Sequence, residues 1–331
     1  MKYLITGATG FVGSNIAKEF VNQGEEVIAL ARKTSRKEDI DFLRDLGAEV
    51  RYVKDYSDIK NVVGRADRVI HAAASTGEWI NRQHYEANIQ GTRIFLNASL
   101  ESKIDRFIFI SSLGVMGLKN HYRTGTETDY KKTNDFYLDS KIESEKLVKE
   151  FYSQYRLPIT ILRPGFVYGE RDRRLMKRML ESLEKGRFRF IGDGKNKMNL
   201  VYAGNFADAV YLSTKTSNAV GQTYNVTDDN GLDIETFVYK ICDLWGFKRP
   251  IKHVPIPLAK TAAFFIEGLA RLVKTKEPPL LTKTRLKFLS LNLDFDISKT
   301  REDLGYEPNV NIDEGLNRVK KWIETENPYS W

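Results

Sequence analysis

The feature that most constrains this chain is a glycine-rich turn set directly behind its first apolar run. Residues 3–6 read as a strand, and Gly7-Ala8-Thr9-Gly10-Phe11-Val12-Gly13 follows as a helical pattern opens over 12–22. Glycine reaches backbone conformations closed to other residues and lets a ligand approach the main chain closely. A helix starting behind such a turn aims unpaired N–H groups and the positive end of its dipole at the occupant, which suits a diphosphate. The spacing is G-x-x-G-x-x-G rather than the G-x-G-x-x-G dinucleotide fingerprint. The turn therefore takes its weight from its place at the end of the first strand.

The strand-then-helix rhythm continues through the first half of the chain. Further strands are predicted over 26–31, 49–53, 68–71, 107–111 and 159–162, with helices over 85–100 and 138–155. Such alternation implies βαβ units and an α/β fold, a Rossmann-type doubly wound parallel sheet. Past Pro164 the elements shorten and Gly, Pro and Asn become more frequent, as in Gly192-Asp193-Gly194 and Pro278-Pro279. The expected division is an NAD(P)-binding Rossmann domain over 1–165 and a smaller C-terminal α/β substrate lobe over 166–331. Some crossing back to the first sheet is expected. A chain of 331 residues, 41% of them apolar, is long enough for both.

The end of the second strand bears on the cofactor's ribose. An NAD site usually carries an acid there, to accept the 2′-hydroxyl. Here Ala31 is followed by Arg32 and Lys33, with Ser35 and Arg36 close behind. Basic groups offer charge-assisted bonds to a 2′-phosphate, each contributing about 1.5–3 kcal/mol. NADP is the expected cofactor, with NAD as the alternative; Arg32 and Lys33 beginning an ordinary solvated loop is the plainer reading.

Tyr137-Leu138-Asp139-Ser140-Lys141 places a phenol and an ammonium at i and i+4, on one helix face. Free tyrosine titrates near 10, roughly, and a nearby lysine charge is expected to bring it toward working pH. A Tyr-x-x-x-Lys pair is common on helices, so the weight comes from its surroundings. Ser111 and Ser112 end a predicted parallel strand, where open α/β sheets place ligands. The Ser112 hydroxyl is expected to hold a substrate oxygen beside the tyrosine. Asn88 falls inside a helix, where Asn is a poor helix former; it is expected to kink the helix and hold a water near Lys141, or else to be a solvated surface residue.

Together these residues resemble the extended short-chain dehydrogenase/reductase superfamily and its NAD-dependent epimerase/dehydratase family, along most of the chain. Gly7, Gly10 and Gly13, with Thr9, Phe11 and Val12, look like its phosphate loop. Asp55, beside Tyr56, is similar to the adenine-contacting acid, and His71-Ala72-Ala73-Ala74 to the segment that packs on the cofactor. Asn88, Ser112, Tyr137 and Lys141 match the catalytic tetrad, with Ser111, Tyr137 and Lys141 also on the cofactor side. Arg163-Pro164-Gly165-Phe166-Val167-Tyr168-Gly169 resembles the loop that meets the nicotinamide amide near Val167, adding Pro164 and Val167 to the cofactor set. Asp296-Ile297-Ser298-Lys299 and Leu304-Gly305-Tyr306-Glu307-Pro308 look like the closing motif. The resemblance implies hydride transfer between the nicotinamide and a small-molecule substrate, and a homodimer.

Two branches of that superfamily remain open. Nucleotide-sugar epimerases and dehydratases usually carry an Arg where this chain has Met198, with Lys197 beside it as a poorer substitute for the bidentate fork. Gly77-Glu78-Trp79, Gly192-Asp193-Gly194-Lys195-Asn196, Asn205 and the apolar Ala262-Ala263-Phe264-Phe265-Ile266 look instead like the 3β-hydroxysteroid dehydrogenase-like branch. A hydrophobic hydroxysteroid-like or β-keto/hydroxy acid-like substrate is therefore expected, with a nucleotide sugar as the alternative. A catalytically silent NADPH-binding regulator is the reading from outside enzymology.

Composition excludes other classes. The net charge of +8 reads as a mildly basic, solvated surface, and no zinc spacing, basic heptad region or single-strand motif marks a nucleic-acid partner. His71, His84, His121 and His253 form no metal spacing, and no metal is expected. Cys242 is the only cysteine and the first residues already read as a strand, so a cytoplasmic location without a leader is expected. The stretch 258–273 carries Lys260, Glu267 and Arg271 and is too polar to span a bilayer. It is expected to be a packed amphipathic helix, a lid, or a loosely membrane-associated face.

Overall fold

The computed structural model describes residues 1–76, 81–126, 130–133, 135–273, 275, 279 and 281–326. The side chains of Tyr56 and Arg271 lie outside that set, as do Gly77, Glu78, Trp79 and Pro278. The first half of the chain runs β1 (Lys2–Thr6), α1 (Phe11–Asn22), β2 (Glu26–Ala31), α2 (Lys37–Asp45), β3 (Glu49–Tyr52), α3 (Tyr56–Val63), β4 (Arg68–His71), α4 (Arg82–Ser102) and β5 (Arg106–Ile110). It continues through β6 (His121–Thr124), α5 (Phe136–Tyr155) and β7 (Ile159–Pro164). The remainder runs β8 (Phe166–Tyr168), α6 (Leu175–Glu184), β9 (Phe190–Ile191), β10 (Leu200–Tyr202), α7 (Ala203–Lys215), β11 (Thr223–Val226) and α8 (Ile234–Trp245). It closes with β12 (His253–Val254), α9 (Ile256–Leu272), α10 (Lys283–Ser290), β13 (Leu293–Phe295), α11 (Ser298–Leu304) and α12 (Ile312–Glu326).

Seven strands form one sheet in the order β11-β7-β5-β4-β1-β2-β3, every neighbouring pair parallel. A parallel strand buried on both faces reads as a continuous apolar run, and β5 is one, with Arg106 through Ile110 all buried. One face packs Ile5, Ile70, Ile108 and Leu162 against Ile16 and Phe20 of α1 and Phe206 and Val210 of α7. The other packs Leu4, Val69 and Phe107 against Phe95 and Leu96 of α4 and Leu147, Val148 and Phe151 of α5. The sheet is doubly wound, as the alternation predicts. Strand order reverses between β1 and β4, and such a reversal opens a crevice at the carboxyl ends of the strands.

Strand β11 comes from far along the chain yet pairs with β7 at the sheet edge. A separate core gathers Tyr168, Met176, Leu180, Phe190, Phe237, Ile241 and Trp322. Where α5 packs on β7, Arg163 and Glu145 make a buried bidentate pair, Nε–Oε1 2.9 Å and Nη2–Oε2 2.7 Å, and the Tyr130 hydroxyl donates to the same carboxylate at 2.9 Å. Among the described residues no helix is long and apolar enough to cross a membrane.

Candidate active site

The glycine turn lies at the sheet's reversal point and has no spare volume. Gly7 adopts φ +70°, and a Cβ there would lie 2.9 Å from the Ala73 backbone. A Cβ on Gly13 would fall 2.2 Å from the Gly7 carbonyl oxygen. The end of β4 is tied to the same turn, since Ala73 N–H donates to Thr6 Oγ1 at 3.1 Å. Gly10 supplies the backbone cap of α1 and no side chain caps that helix, which leaves its first N–H groups for a ligand. Thr9 reaches across to Ser35, 3.3 Å between hydroxyls, and Ser35 Oγ accepts from Arg32 N–H at 3.1 Å. Arg32 and Lys33 are thus exposed on a loop fastened to the glycine turn.

Asp39, a buried acid of α2 after that loop, is already engaged. Asp39 of α2 accepts from Arg173 at 3.0 Å and from Arg171 at 2.5 Å, while Arg171 Nε also reaches Ser14 at 3.0 Å. Asp55 caps α3 through its Oδ1, which accepts from Asp58 N–H at 3.1 Å and Ser57 Oγ at 2.8 Å. These bonds hold its carboxyl below the usual aspartate range.

Helix α5 starts at Phe136 because Asp135 caps it, accepting from Tyr137 and Leu138 N–H at 3.0 Å each. Tyr137, Lys141 and Glu145 then recur at helical spacing on one face. The Lys141 amine is buried, donates to the Ile110 carbonyl at the end of β5 at 2.6 Å, and lies 4.8 Å over the Phe109 ring. Leu138 seats against Gly114, where a Cβ would meet its Cδ2 at 2.5 Å. Gly114 belongs to the 3-10 turn Leu113–Met116 that Ser112 caps, its Oγ accepting from Gly114 N–H at 3.2 Å. That packing brings the Ser112 turn against the start of α5. The neighbouring Ser111 hydroxyl is buried with no hydrogen-bond partner.

Burial pushes the Tyr137 phenol up to about 12, and the Asp135 carboxylate adds to the effect. The same burial brings the Lys141 ammonium down to about 8, against the charge of Glu145. Burial, rather than the Lys141 charge, sets the direction of the phenol's shift, opposite to the lowering that the i, i+4 spacing suggests. The lysine is itself desolvated and turned to the Ile110 carbonyl. His71 is no candidate acid or base: burial, with the Lys141 charge, takes it down to about 3, and its ring nitrogens face Thr6 and Thr92.

Asn88 is buried, and α4 runs through it without a break in its helical assignment. Its amide closes on Ser75 from both ends, Oδ1 accepting from Ser75 N–H at 2.7 Å and Nδ2 donating to Ser75 O at 3.1 Å. Nδ2 also donates to Ser140 Oγ at 3.0 Å, and Thr92 Oγ1 donates to Ser144 at 3.3 Å. These bonds fasten α4 to α5 on either side of Lys141. Pro164 ends β7, and Val167 lies on β8 paired with Val201. Gly165 between them admits no side chain, as a Cβ would fall 1.9 Å from Asn199 O. Lys197, beside Met198, pairs with Asp294 at 2.9 Å and is not a free substitute for an arginine.

Sequence reasoning missed Asp135, Thr133 and Ser75. Asp135 stands two residues before Tyr137, a capping signal legible in the sequence. The Ile110 carbonyl and the Asn88–Ser75 clamp have no sequence signal.

The dinucleotide fits what is present: a glycine cradle with no room for a Cβ, an uncapped helix start, and an orphaned Ser111 hydroxyl nearby. A doubly wound sheet with that turn at its reversal point defines the nucleotide-binding α/β class. The chain belongs to the NAD dependent epimerase/dehydratase family, whose model matches residues 3–227. It is 27% identical over 329 residues to a 2-alkyl-3-oxoalkanoate reductase of Stenotrophomonas maltophilia, covering 97% of this chain and 98% of that protein. It is 26% identical over 348 residues to a decarboxylating sterol-4-alpha-carboxylate 3-dehydrogenase of Candida albicans, covering 98% and 97%. Such relatives place it in the extended short-chain dehydrogenase/reductase branch, with sterol-dehydrogenase kin. The crystal structure of UDP-glucuronic acid 4-epimerase from Bacillus cereus in complex with NAD superposes with a TM-score of 0.78 at 22% identity, over 98% of this chain and 99% of that one.

Proposed function

We propose that this protein is an NADP(H)-dependent oxidoreductase interconverting a hydroxyl and a carbonyl on a small hydrophobic substrate, hydroxysteroid-like or β-keto acid-like. The observation that carries the reading is the meeting of α5, bearing Tyr137 and Lys141, with the end of β5 and the Ser112 turn, through the Lys141–Ile110 bond and the Leu138–Gly114 contact. The bound nicotinamide supplies or accepts hydride.

The chain's own residues do the rest. Tyr137 exchanges the proton at the substrate oxygen, and burial, which pushes its phenol up to about 12, favours the protonated donor form that reduction needs. Ser112 holds the same oxygen through its hydroxyl. Lys141, buried at the end of β5, favours phenolate in the reverse direction by its charge. Asn88 positions Lys141's helix by clamping Ser75 and Ser140. Arg32 and Lys33 take the 2′-phosphate of NADP, and the segment after Pro164 contributes most of the substrate side. The names of the two relatives, a reductase of 3-oxoalkanoates and a sterol dehydrogenase, favour a greasy substrate, as do Met198 and the engaged Lys197.

Nicotinamide absorbance with a substrate panel tests this. Net NADPH oxidation with long-chain 3-oxoacids or 3-oxosteroids is expected. Epimerisation of a UDP-sugar with no net redox change would overturn it in favour of the sugar-nucleotide reading.

A further inference from the structure

Helix α9 has its apolar residues on the wrong side for a soluble surface. Its small residues face the protein, with Ala259, Ala263 and Ala270 buried and the first two packed on Ile191 and Leu286. Its large ones face out: Leu258 is 61% exposed, Phe264 57%, Phe265 67%, Leu269 62% and Leu272 79%. Leu258, Phe265 and Leu272 recur every seven residues, so they share one stripe. An ordinary surface helix turns its large apolar residues inward, and a contiguous outward patch marks an interaction surface.

The charge around the patch selects the partner. Lys252, Lys260, Lys283 and Lys287 are exposed around it, and the Lys283 amine lies 4.5 Å over the Phe264 ring. The sequence has no acid over 251–266 or 281–293. Glu267, the acid of α9, is half-buried and accepts from Lys283 N–H at 3.0 Å. Apolar side chains flanked by exposed lysines, with the one carboxylate of the helix half-buried and already bonded, match the headgroup–acyl boundary of an anionic bilayer. A second protein surface of ordinary mixed charge offers no such complement.

The patch is wired to the redox helix. Glu267 holds the start of α10, and Thr284 of α10 donates to Asp135 Oδ2 at 3.3 Å. Asp135 is the cap that fixes Tyr137. We propose that α9 lies in the surface of an anionic membrane, its outward stripe inserted about 5–10 Å, so that the chain works as a peripheral protein at the lipid boundary. The inference concerns a surface and does not depend on the redox reading.

Co-sedimentation of the full chain with vesicles tests it without reference to turnover. The protein is expected to pellet with equimolar phosphatidylcholine and phosphatidylglycerol and to stay largely in solution with phosphatidylcholine alone. Phe265→Glu and Leu269→Glu each lower partitioning about tenfold or more. Lys260→Glu and Lys283→Glu lower it about fivefold or more each. These positions are exposed, and unchanged thermal melting of each variant verifies folding. A wild-type chain that stays in the supernatant with both vesicles overturns the proposal, and so does equal binding to neutral lipid. A solution mass that falls on Phe265→Glu overturns it as well, because a second copy then covers the stripe.

Discussion

The glycine turn and helix α9 sit at opposite extremes of the same molecule. At the turn, Gly7, Gly13 and Ala73 approach so closely that one methyl group has no place, and Thr6, Thr9 and Ser35 bind the surrounding loops. On α9, Phe265, Leu269 and Leu272 stand more than half exposed. The first region is over-determined by backbone contacts and side-chain bonds within the chain. The second is complete only when something outside the chain covers it. Rigid positioning belongs where a ligand's atoms must be placed to a fraction of an ångström, and an open apolar face belongs where the partner has no fixed shape.

Changing the rigid region produces the largest effects. Gly13→Val forces the turn apart, and NADPH affinity in a fluorescence titration is expected to fall about a hundredfold or more, the equivalent of one or two lost charge-assisted bonds. Arg163→Leu leaves Glu145 charged and buried between α5 and β7. Denaturant unfolding should show a loss of about 3–5 kcal/mol. Stability unchanged by that substitution would mean that α5 and β7 are not joined through this pair.

Smaller effects sharpen the contrast. Arg32→Ala should weaken NADPH binding about tenfold to a hundredfold and leave NADH nearly unchanged; equal losses for both would assign Arg32 to another part of the cofactor. Lys141→Met tests a rigidity kept at a cost to stability. Its folded value of about 8 lies below the ordinary 10.5. Between those values the unfolded chain holds the extra proton, so stability rises as pH rises through that window, and below it the buried charge is destabilising. The methionine variant should remove this slope and gain about 1–3 kcal/mol near neutral pH, less whatever the Ile110 carbonyl loses. A melting curve series from neutral pH upward reads it directly.

Much of the rigid region was legible in the sequence because its signals are local. The turn Gly7–Gly13 behind a strand, the Tyr137–Lys141 spacing and the βα alternation all lie within short windows. Helices α2 and α3 carry little signal in the sequence, being short and charged or polar near their starts. The structural bonds of Asp55 and Asn88 are not legible for a physical reason: a carboxylate at a helix start caps it, and an amide facing a neighbouring loop clamps it, whichever ligand is nearby. The direction of Lys141 toward Ile110 depends on a strand thirty residues earlier, and no periodicity encodes that. The stretch 258–273 was recognised as amphipathic, but which face turns inward depends on Ile191 and Leu286, which pack there only in the folded chain.

Tyr137 as the proton carrier of a redox site assembled on the glycine turn can be tested in one measurement. Single-turnover absorbance of bound NADPH, mixed with a long-chain 3-oxoacid, compares the wild type with Tyr137→Phe. Both should bind NADPH equally, and the wild type should oxidise it about 10²–10⁴-fold faster. Equal rates in the two proteins, or no NADPH binding by either, would contradict the account.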